Sequence, residues 1–264
     1  MREIAILLLL AGVVPAQTPF VRVREERKIV IDGVEETWRL VWTAPPRPVC
    51  WMDTAMYYTC PCNGFAFGEA GHASLLRYRG GVERERLPLG PLFGEDSIGG
   101  PGVALIPKRP YEGLTTDSEE SLSRAGKRAE IERRPMVRIM EFADNDHDGR
   151  ATEFYLQTSS IACGWQFGVV IGVSRANPRL HVFTTAGNPD SPLRLRYPLW
   201  ENIRKAAGPF ETTEWTCGDH GVETQSQLSI SWTPNGITGT RRRYTCPPEP
   251  RRLLSETPLG AKLE

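Results

Sequence analysis

A segment that reads DNDHDGRATE, residues 144–153, combines side chains that bind hard cations with a residue that permits a sharp turn. Aspartates at positions 1, 3 and 5 can converge on one ion when Gly149, at position 6, turns the chain. Oxygen ligands at this spacing favour Ca²⁺, so we predict a calcium loop. The candidate ligands are Asp144, Asp146, Asp148, the backbone carbonyl of Arg150, and Glu153. The alternative is an acidic turn whose aspartates accept hydrogen bonds from their own backbone.

The residues around this loop indicate which calcium-binding family it resembles. Position 12 is Tyr155, where an EF-hand has a bidentate glutamate, and the flanks 136–142 and 154–157 have the pattern of strands. The loop therefore resembles the calcium loops of FG-GAP and VCBS-type repeats, in which Asp-x-Asp/Asn-x-Asp-Gly precedes an acid at position 9 and then a strand. Here position 9 is Thr152 and position 10 is Glu153, so the resemblance implies that Glu153 reaches the ion by a bulge or through water. The resemblance covers about 20 of the 264 residues. Because binding to the native state alone adds stability, we expect calcium to rigidify the loop and make it resist unfolding.

The cysteine count is even, which is typical of disulfides in an exported chain. The cysteines are Cys50, Cys60, Cys62, Cys163, Cys217 and Cys246. We expect three disulfides and favour Cys217–Cys246, because these two residues flank a predicted hairpin that would bring them together. The pairing of the other four stays open. Cys60 and Cys62 also suit a redox or Cu(I) site, for which Met52, Met56 and His72 are candidate partners.

Few other residues suggest a specific chemistry. The sequence lacks Gly-x-Ser-x-Gly, Ser-x-x-Lys, His-Glu-x-x-His, Walker and Gly-x-Gly-x-x-Gly motifs, which disfavours serine hydrolases, zincins and nucleotide-dependent enzymes. His147 lies inside the acidic loop and is expected to face solvent. The seven tryptophans leave open a carbohydrate-binding face, although those in strand patterns are expected in the core. For a glycosidase, Asp53 and Glu69 are the first carboxylate pair to inspect.

Alternation of apolar and polar residues around turn signals predicts a mainly β fold. Three hairpins are expected, with turns at Asp32-Gly33, Gly80-Gly81 and Asn235-Gly236. Residues 167–174 and 179–184 form a further predicted strand pair, and a short helix is predicted from Leu199 to Ala207. The sequence thus predicts an antiparallel, hairpin-rich, sandwich-like or barrel-like unit with one or two short helices.

Composition shifts divide the chain into two β halves. We predict a signal peptide at 1–16, an N-terminal β half at 17–112, a connector or helix at 113–135, a C-terminal β half with the calcium-loop hairpin at 136–250, and a tail at 251–264. The first segment, MREIAILLLLAGVVPA, has the basic start, short apolar run and small-residue end of a secretory leader. Its apolar run is too short to span a bilayer, so we expect no membrane anchor after cleavage.

The charge balance and the leader together limit the function. The 32 basic and 32 acidic residues cancel, which argues against a nucleic-acid partner. We therefore predict an exported, disulfide-stabilised calcium-binding β protein, periplasmic or extracellular, that acts as a binding or structural module with a glycan or protein as candidate ligand. The alternatives are a carbohydrate-binding module or glycosidase, and a periplasmic copper or redox protein.

Overall fold

The computed structural model of the chain describes residues 20–49, 68–94, 100–109, 133–161, 165–185, 187–218, 222–233 and 236–260. Strands make up 55% and helix 7% of the structure, so the predicted mainly β fold is confirmed. The strands are β1 (Arg22–Ile31), β2 (Val34–Trp42), β3 (Arg47–Val49), β4 (Gly68–Gly71), β5 (Ala73–Arg79), β6 (Val82–Pro88), β7 (Ala104–Pro107), β8 (Glu153–Ile161), β9 (Trp165–Gly172), β10 (His181–Val182), β11 (Thr184–Thr185), β12 (Asn188–Pro192), β13 (Leu195–Arg196), β14 (Phe210–Trp215), β15 (Thr224–Thr233), β16 (Gly236–Thr245) and β17 (Leu253–Pro258). The complete helices in these ranges are α1 (Tyr197–Lys205) and a 3₁₀ turn (Gly90–Leu92).

The described strands form four sheets. The first has the order β1-β2-β5-β6, and the second has the order β3-β4-β7. The third is β10-β9-β13 with β8 also paired to β9, and the fourth is β12-β11-β16-β15-β14 with β17 paired to β16. Pairing is antiparallel except between β11 and β16, and no described sheet closes into a barrel. The architecture is therefore sandwich-like.

The predicted hairpins are present. Asp32 and Gly33 join β1 to β2 with φ of 50° and 78°, the left-handed values that a two-residue hairpin loop favours. Gly80 and Gly81 join β5 to β6 with φ of 59° and 78°. β15 and β16 form the third hairpin, and β10 pairs with β9 as the further predicted strand pair.

Two hydrophobic cores lie on opposite faces of the β8–β9 ladder. Successive residues of a strand point to opposite faces, so Phe154, Leu156 and Val169 pack in the first core while Tyr155 and Val170 pack in the second. The first core is filled largely by the first two sheets, and the second by α1 and the fourth sheet. The two cores therefore share one pair of strands.

The segment before the acidic loop is not a strand, so the predicted strand, loop, strand arrangement is wrong on this side. Its backbone amides donate to groups outside β8. The Glu25 carboxylate accepts from Ile139 at 2.7 Å and from Met140 at 3.2 Å. The bridge that joins this segment to β8 pairs Ala143 with Glu153. Hydrogen bonds to the side chain of Glu25, which is distant in sequence, therefore take the place of the strand pairing that the alternating pattern predicted.

The C-terminal elements begin and end differently from the prediction. α1 starts at Tyr197 and has Pro198 in its first turn, where the missing N–H of proline leaves no helical hydrogen bond unmade. Residues of the predicted tail form β17, which pairs with β16. The predicted signal peptide and most of the 113–135 connector lie outside the described residues.

Candidate metal centre

The acidic loop is closed by a pair of backbone hydrogen bonds. Ala143 donates to the carbonyl of Glu153 at 2.7 Å, and Glu153 donates back to Ala143 at 3.2 Å. This bridge brings position 10 of the loop beside position 1. Gly149 has a φ of 88°, as the sharp turn requires. The bridge therefore places Glu153 beside the first residues of the loop.

Three of the predicted ligands converge in the loop. Asp144, Asp146 and Glu153 each offer a carboxylate oxygen, and these oxygens lie within 4.8 Å of one another. Oxygens that bind one Ca²⁺ at 2.3–2.6 Å can be up to about 5 Å apart, so this spacing suits a single ion. The donor set consists of hard oxygens, which fits calcium better than a soft metal such as Cu(I).

Glu153 is the most unusual of the three because its side chain is fully buried. Its carboxylate accepts hydrogen bonds from the backbone amide of Asn145 at 2.8 Å and from the Thr152 hydroxyl at 2.6 Å. Burial outweighs these bonds and raises the pKa of Glu153 to about 8. Without a cation, the carboxyl therefore favours its protonated form at neutral pH.

Asp146 has the same tendency to a smaller degree. Burial raises its pKa to about 6, and the neighbouring charges of Asp148 and Asp144 add to the effect. Among the described residues, no lysine or arginine forms an ion pair with Asp144, Asp146 or Glu153. A bound cation would compensate the repulsion of these carboxylates where the protein provides no basic partner.

Asp148, at position 5, is placed differently from the prediction. Its Oδ1 accepts a hydrogen bond from the backbone amide of Arg150 at 2.9 Å, and its Oδ2 accepts from the amide of Arg175 at 2.6 Å. The Arg175 Nε donates to the Asp148 carbonyl at 2.8 Å. Asp148 therefore ties the loop to the β9–β10 connection and is not part of the cluster of converging oxygens.

The predicted alternative, an acidic turn that accepts its own backbone hydrogen bonds, is also visible in the loop. Asp144 accepts from the amides of Asp148 at 3.1 Å and Gly149 at 3.0 Å, and Asp146 accepts from Asp148 at 3.1 Å. These bonds fix the orientation of the carboxylates. Each carboxylate has about four acceptor sites, so the same groups retain capacity for a cation.

The loop side chains that are not candidate oxygen donors attach it to the rest of the fold. The Arg150 guanidinium pairs with Asp32 in the β1–β2 turn at 2.7 Å, while its backbone carbonyl stays a predicted ligand. His147 does not face solvent as expected. Its ring stacks on Trp232 with centroids 4.1 Å apart, and its Nε2–H donates to the Ile203 carbonyl at 2.7 Å. No local sequence signal indicates either His147 contact, because both partners are distant in the chain.

The favoured disulfide is present. Cys217 and Cys246 are bonded with their Cα atoms 5.6 Å apart, and they join the residues after β14 to the end of β16. The remaining cysteines lie outside the described residues, namely Cys50, Cys60, Cys62 and Cys163. Two further disulfides therefore stay a prediction.

The residues considered for the alternative functions are only partly described. Glu69 is nearly buried and pairs with Arg22 at 2.8 Å and Lys108 at 3.5 Å, an arrangement typical of a structural carboxylate. Its proposed partner Asp53, and the copper candidates Met52 and Met56, lie outside the described residues. Among the tryptophans whose burial the structure describes, Trp38, Trp42 and Trp200 are fully buried and cannot form a sugar-binding face.

Comparisons of the chain with protein-family models, curated proteins and solved structures find no match. In the described part of the chain, no helix has the length and apolar character needed to cross a lipid bilayer.

Proposed function

We propose that this chain is a calcium-stabilised, disulfide-bonded β protein that acts as a binding or structural module outside the reducing cytoplasm. The observation that carries the proposal is the buried carboxylate of Glu153 within 4.8 Å of oxygens from Asp144 and Asp146. Burying an ionised carboxylate is costly unless a cation or a basic side chain compensates it. Calcium compensates all three carboxylates together.

The contacts of the loop support a stabilising role for the ion. Arg150 joins it to the β1–β2 turn, Asp148 to the β9–β10 connection, and His147 to α1 and β15. An ion that fixes the loop therefore fixes the junction of these elements. Binding to the folded state alone stabilises by about 2.7 kcal/mol when free calcium is a hundred times its dissociation constant.

The cysteines and the predicted leader support the proposed compartment. The Cys217–Cys246 disulfide closes a stretch with a sequence separation of 29 residues, and such bonds persist in oxidising compartments. This supports a periplasmic or extracellular location. The module would then work where free calcium is plentiful, which is the setting in which weak calcium sites of extracellular modules operate.

A thermal-unfolding experiment with two aspartate variants tests the proposal. Wild-type protein should melt at a higher temperature in calcium than in a chelator. The Asp146→Ala variant should lose that difference, because it removes one of the three converging carboxylates. The Asp148→Ala variant should melt lower in both conditions while keeping a calcium response, because its carboxylate bonds to backbone amides. The exposed Asp190→Ala variant serves as the control and should behave as wild type.

A direct readout of binding completes the test. Terbium is a luminescent substitute for calcium, and Trp232, stacked on His147 of the loop, is positioned to sensitise it. Calcium should displace terbium from the wild type, and Asp146→Ala should bind neither. Equal melting temperatures in calcium and chelator, together with no terbium signal, would refute the calcium site.

A further inference from the structure

Three segments that are distant in sequence meet where β1 begins. They are residues 20–25, 107–109 and 133–138. The Arg24 Nη2 group donates to the Pro107 carbonyl at 3.0 Å and to the Val137 carbonyl at 2.9 Å. The Val137 amide donates in turn to the Lys108 carbonyl at 2.9 Å. The Arg24 side chain is only 4% exposed, so it joins the three segments from the inside and leaves their other side chains at the surface.

These segments carry an excess of positive charge in a chain whose total charge is zero. They contain one acidic residue, Glu25, and seven basic residues, namely Arg22, Arg24, Lys108, Arg109, Arg133, Arg134 and Arg138. Glu69 of β4 is a second neighbouring carboxylate, since it pairs with Arg22 at 2.8 Å and with Lys108 at 3.5 Å. The seven basic residues outnumber these two carboxylates by five, so this part of the surface attracts anions.

Exposed apolar side chains are concentrated at the same place. The described residues include ten exposed large apolar side chains, and four of them, each 41–52% exposed, belong to these segments. They are Phe20, Val21, Val23 and Met136. Val21 and Val23 lie on the opposite side of the chain from Arg22, because side chains alternate along a strand. A surface that meets the end of β1 can contact both sides.

A partner of this surface has to offer negative charge and hydrocarbon together. An anionic phospholipid bilayer does so, because its phosphate groups lie directly above the acyl chains. Apolar side chains that enter the headgroup region are removed from water, while basic side chains beside them stay with the phosphates. An acidic polysaccharide would neutralise the basic residues but would leave the four apolar side chains in water. The combination therefore favours a lipid surface over an acidic polymer.

We propose that a basic apolar tip docks this protein on the surface of anionic phospholipid bilayers. The tip consists of Phe20, Val21, Arg22, Val23, Lys108 and Met136. The Arg22 and Lys108 side chains are 48% and 40% exposed although both pair with Glu69, so each has donors left for a lipid phosphate. The contact is peripheral, because it uses side chains at the end of a strand and no membrane-spanning segment.

Co-sedimentation with vesicles of defined composition tests the proposal. Wild-type protein in one calcium-containing buffer is mixed with vesicles of phosphatidylcholine, either alone or with phosphatidylglycerol as the anionic lipid. We expect binding to the anionic vesicles to be about tenfold stronger or more than to the neutral ones, because each basic residue near an anionic surface contributes about fivefold. Binding should weaken at high salt, where screening shortens the range of the attraction to about 3 Å at 1 M.

Paired variants identify the residues that bind. Lys108→Ala should weaken binding to anionic vesicles about fivefold through its lost charge, and Phe20→Ala should weaken it about tenfold through lost apolar burial. The matched controls are Lys28→Ala and Val30→Ala, which remove an exposed basic and an exposed apolar side chain farther along β1. Both controls should bind as wild type. All four side chains are exposed, so the melting temperatures should stay close to that of the wild type.

Several results would overturn the proposal. They are equal binding to neutral and anionic vesicles, no binding to either, unchanged binding in Lys108→Ala or in Phe20→Ala, and equal losses in the control variants. Polyglutamate is the probe for an acidic polymer. Binding of polyglutamate in the absence of vesicle binding would replace the bilayer with an acidic polymer as the partner. None of these variants alters Asp144, Asp146 or Glu153, so the calcium and lipid proposals can fail separately.

Discussion

Glu153 determines the chemistry of the acidic loop at the residue scale. The family pattern that the loop resembles places its acid at position 9, but here Thr152 occupies that position. The Thr152 hydroxyl oxygen lies 2.6 Å from the Glu153 carboxyl and 2.7 Å from the Val173 carbonyl, and its single proton is available to either acceptor, so it helps to hold the neighbouring carboxyl in place. The backbone bridge to Ala143 then places Glu153 beside the other candidate ligands, Asp144 and Asp146.

The raised pKa of Glu153 predicts how calcium binding depends on pH. Its ordinary value is 4.5 and its folded value is about 8, so calcium must displace a proton below pH 8. Calcium affinity should therefore rise with pH between 6 and 8, by up to about tenfold per unit. Without calcium, the stability of the folded protein changes with pH in the opposite direction, because it falls as the pH rises. The contribution of Glu153 is fully present below its unfolded pKa and is lost as pH rises through the folded value of about 8.

Calcium titrations at several pH values, and melting curves in chelator over the same range, measure both effects. The Glu153→Gln variant is the matched control because it keeps the shape of the side chain and cannot titrate. It should bind calcium weakly, and its stability in chelator should not fall between pH 6 and 8 as that of the wild type does. A wild-type calcium affinity that does not change over this range would contradict the assignment of Glu153 as a ligand.

Buried ion pairs join strands at the element scale. Glu36 of β2 is almost fully buried and accepts hydrogen bonds from Arg77 at 2.6 and 2.9 Å and from Arg79 at 2.6 and 3.1 Å, both on β5. Arg77 also reaches Glu85 of β6 and the Pro178 carbonyl. One ion network therefore connects three strands of the first sheet to the β9–β10 connection of the third.

The Glu36→Gln variant should be destabilised by about 3–5 kcal/mol, because the buried Arg77 guanidinium loses the carboxylate that accepts two of its hydrogen bonds and keeps Glu85 as its charged partner. Burial alone would raise the pKa of Glu36, but the hydrogen bonds from Arg77 and Arg79 outweigh burial and lower it. The contribution of Glu36 is therefore present at neutral pH and is lost as pH falls through its lowered folded pKa.

Denaturant unfolding at pH 7 and at acidic pH checks this prediction. The adjacent Glu35→Gln variant is the control, because Glu35 is exposed and its pair with Lys28 contributes less than about 1 kcal/mol. The gap in stability between wild type and Glu36→Gln should shrink at acidic pH. If Glu36→Gln and Glu35→Gln lower the free energy of unfolding by the same small amount, the ion network does not hold the sheet together.

At the scale of the whole molecule, the β8–β9 ladder contributes side chains to both hydrophobic cores. Leu156 faces the first core and is fully buried, while Leu228 of β15 is fully buried in the second core. Because the ladder contributes to both cores, exposure of either one removes packing from the other. The two β halves should therefore unfold together and not as independent domains.

Matched leucine variants test this cooperativity. Leu156→Ala and Leu228→Ala should each cost about 2–5 kcal/mol and lower one common melting temperature. The control Leu254→Ala alters a side chain that is 45% exposed and should have little effect. Melting followed by circular dichroism and by tryptophan fluorescence should give coincident curves for all three variants. Two transitions, with each buried variant shifting only one, would show that the halves are independent.

Much of the fold could be predicted from local pattern. The turns at Asp32-Gly33 and Gly80-Gly81 are strong signals because glycine readily adopts positive φ, and the Cys217–Cys246 pair follows from the hairpin between its members. The strand before the acidic loop could not be excluded in this way. Its amides are bonded to Glu25, which lies more than a hundred residues earlier, and alternation in sequence contains no information about such a partner.

The candidate sites likewise combine features that local sequence predicts with features that depend on distant contacts. From the sequence by itself, Asp144, Asp146, Asp148, the Arg150 carbonyl and Glu153 are candidate oxygen donors for calcium, because side-chain type and spacing are local properties. Only the tertiary structure decided that Asp148 bonds to Arg175 and that Arg24 joins the three segments around the basic apolar tip. These outcomes depend on which strands pair and on which face each residue points to. Both are set by packing between segments distant in the chain. A shift of one residue in the pairing of two strands would turn each side chain to the other face of the sheet.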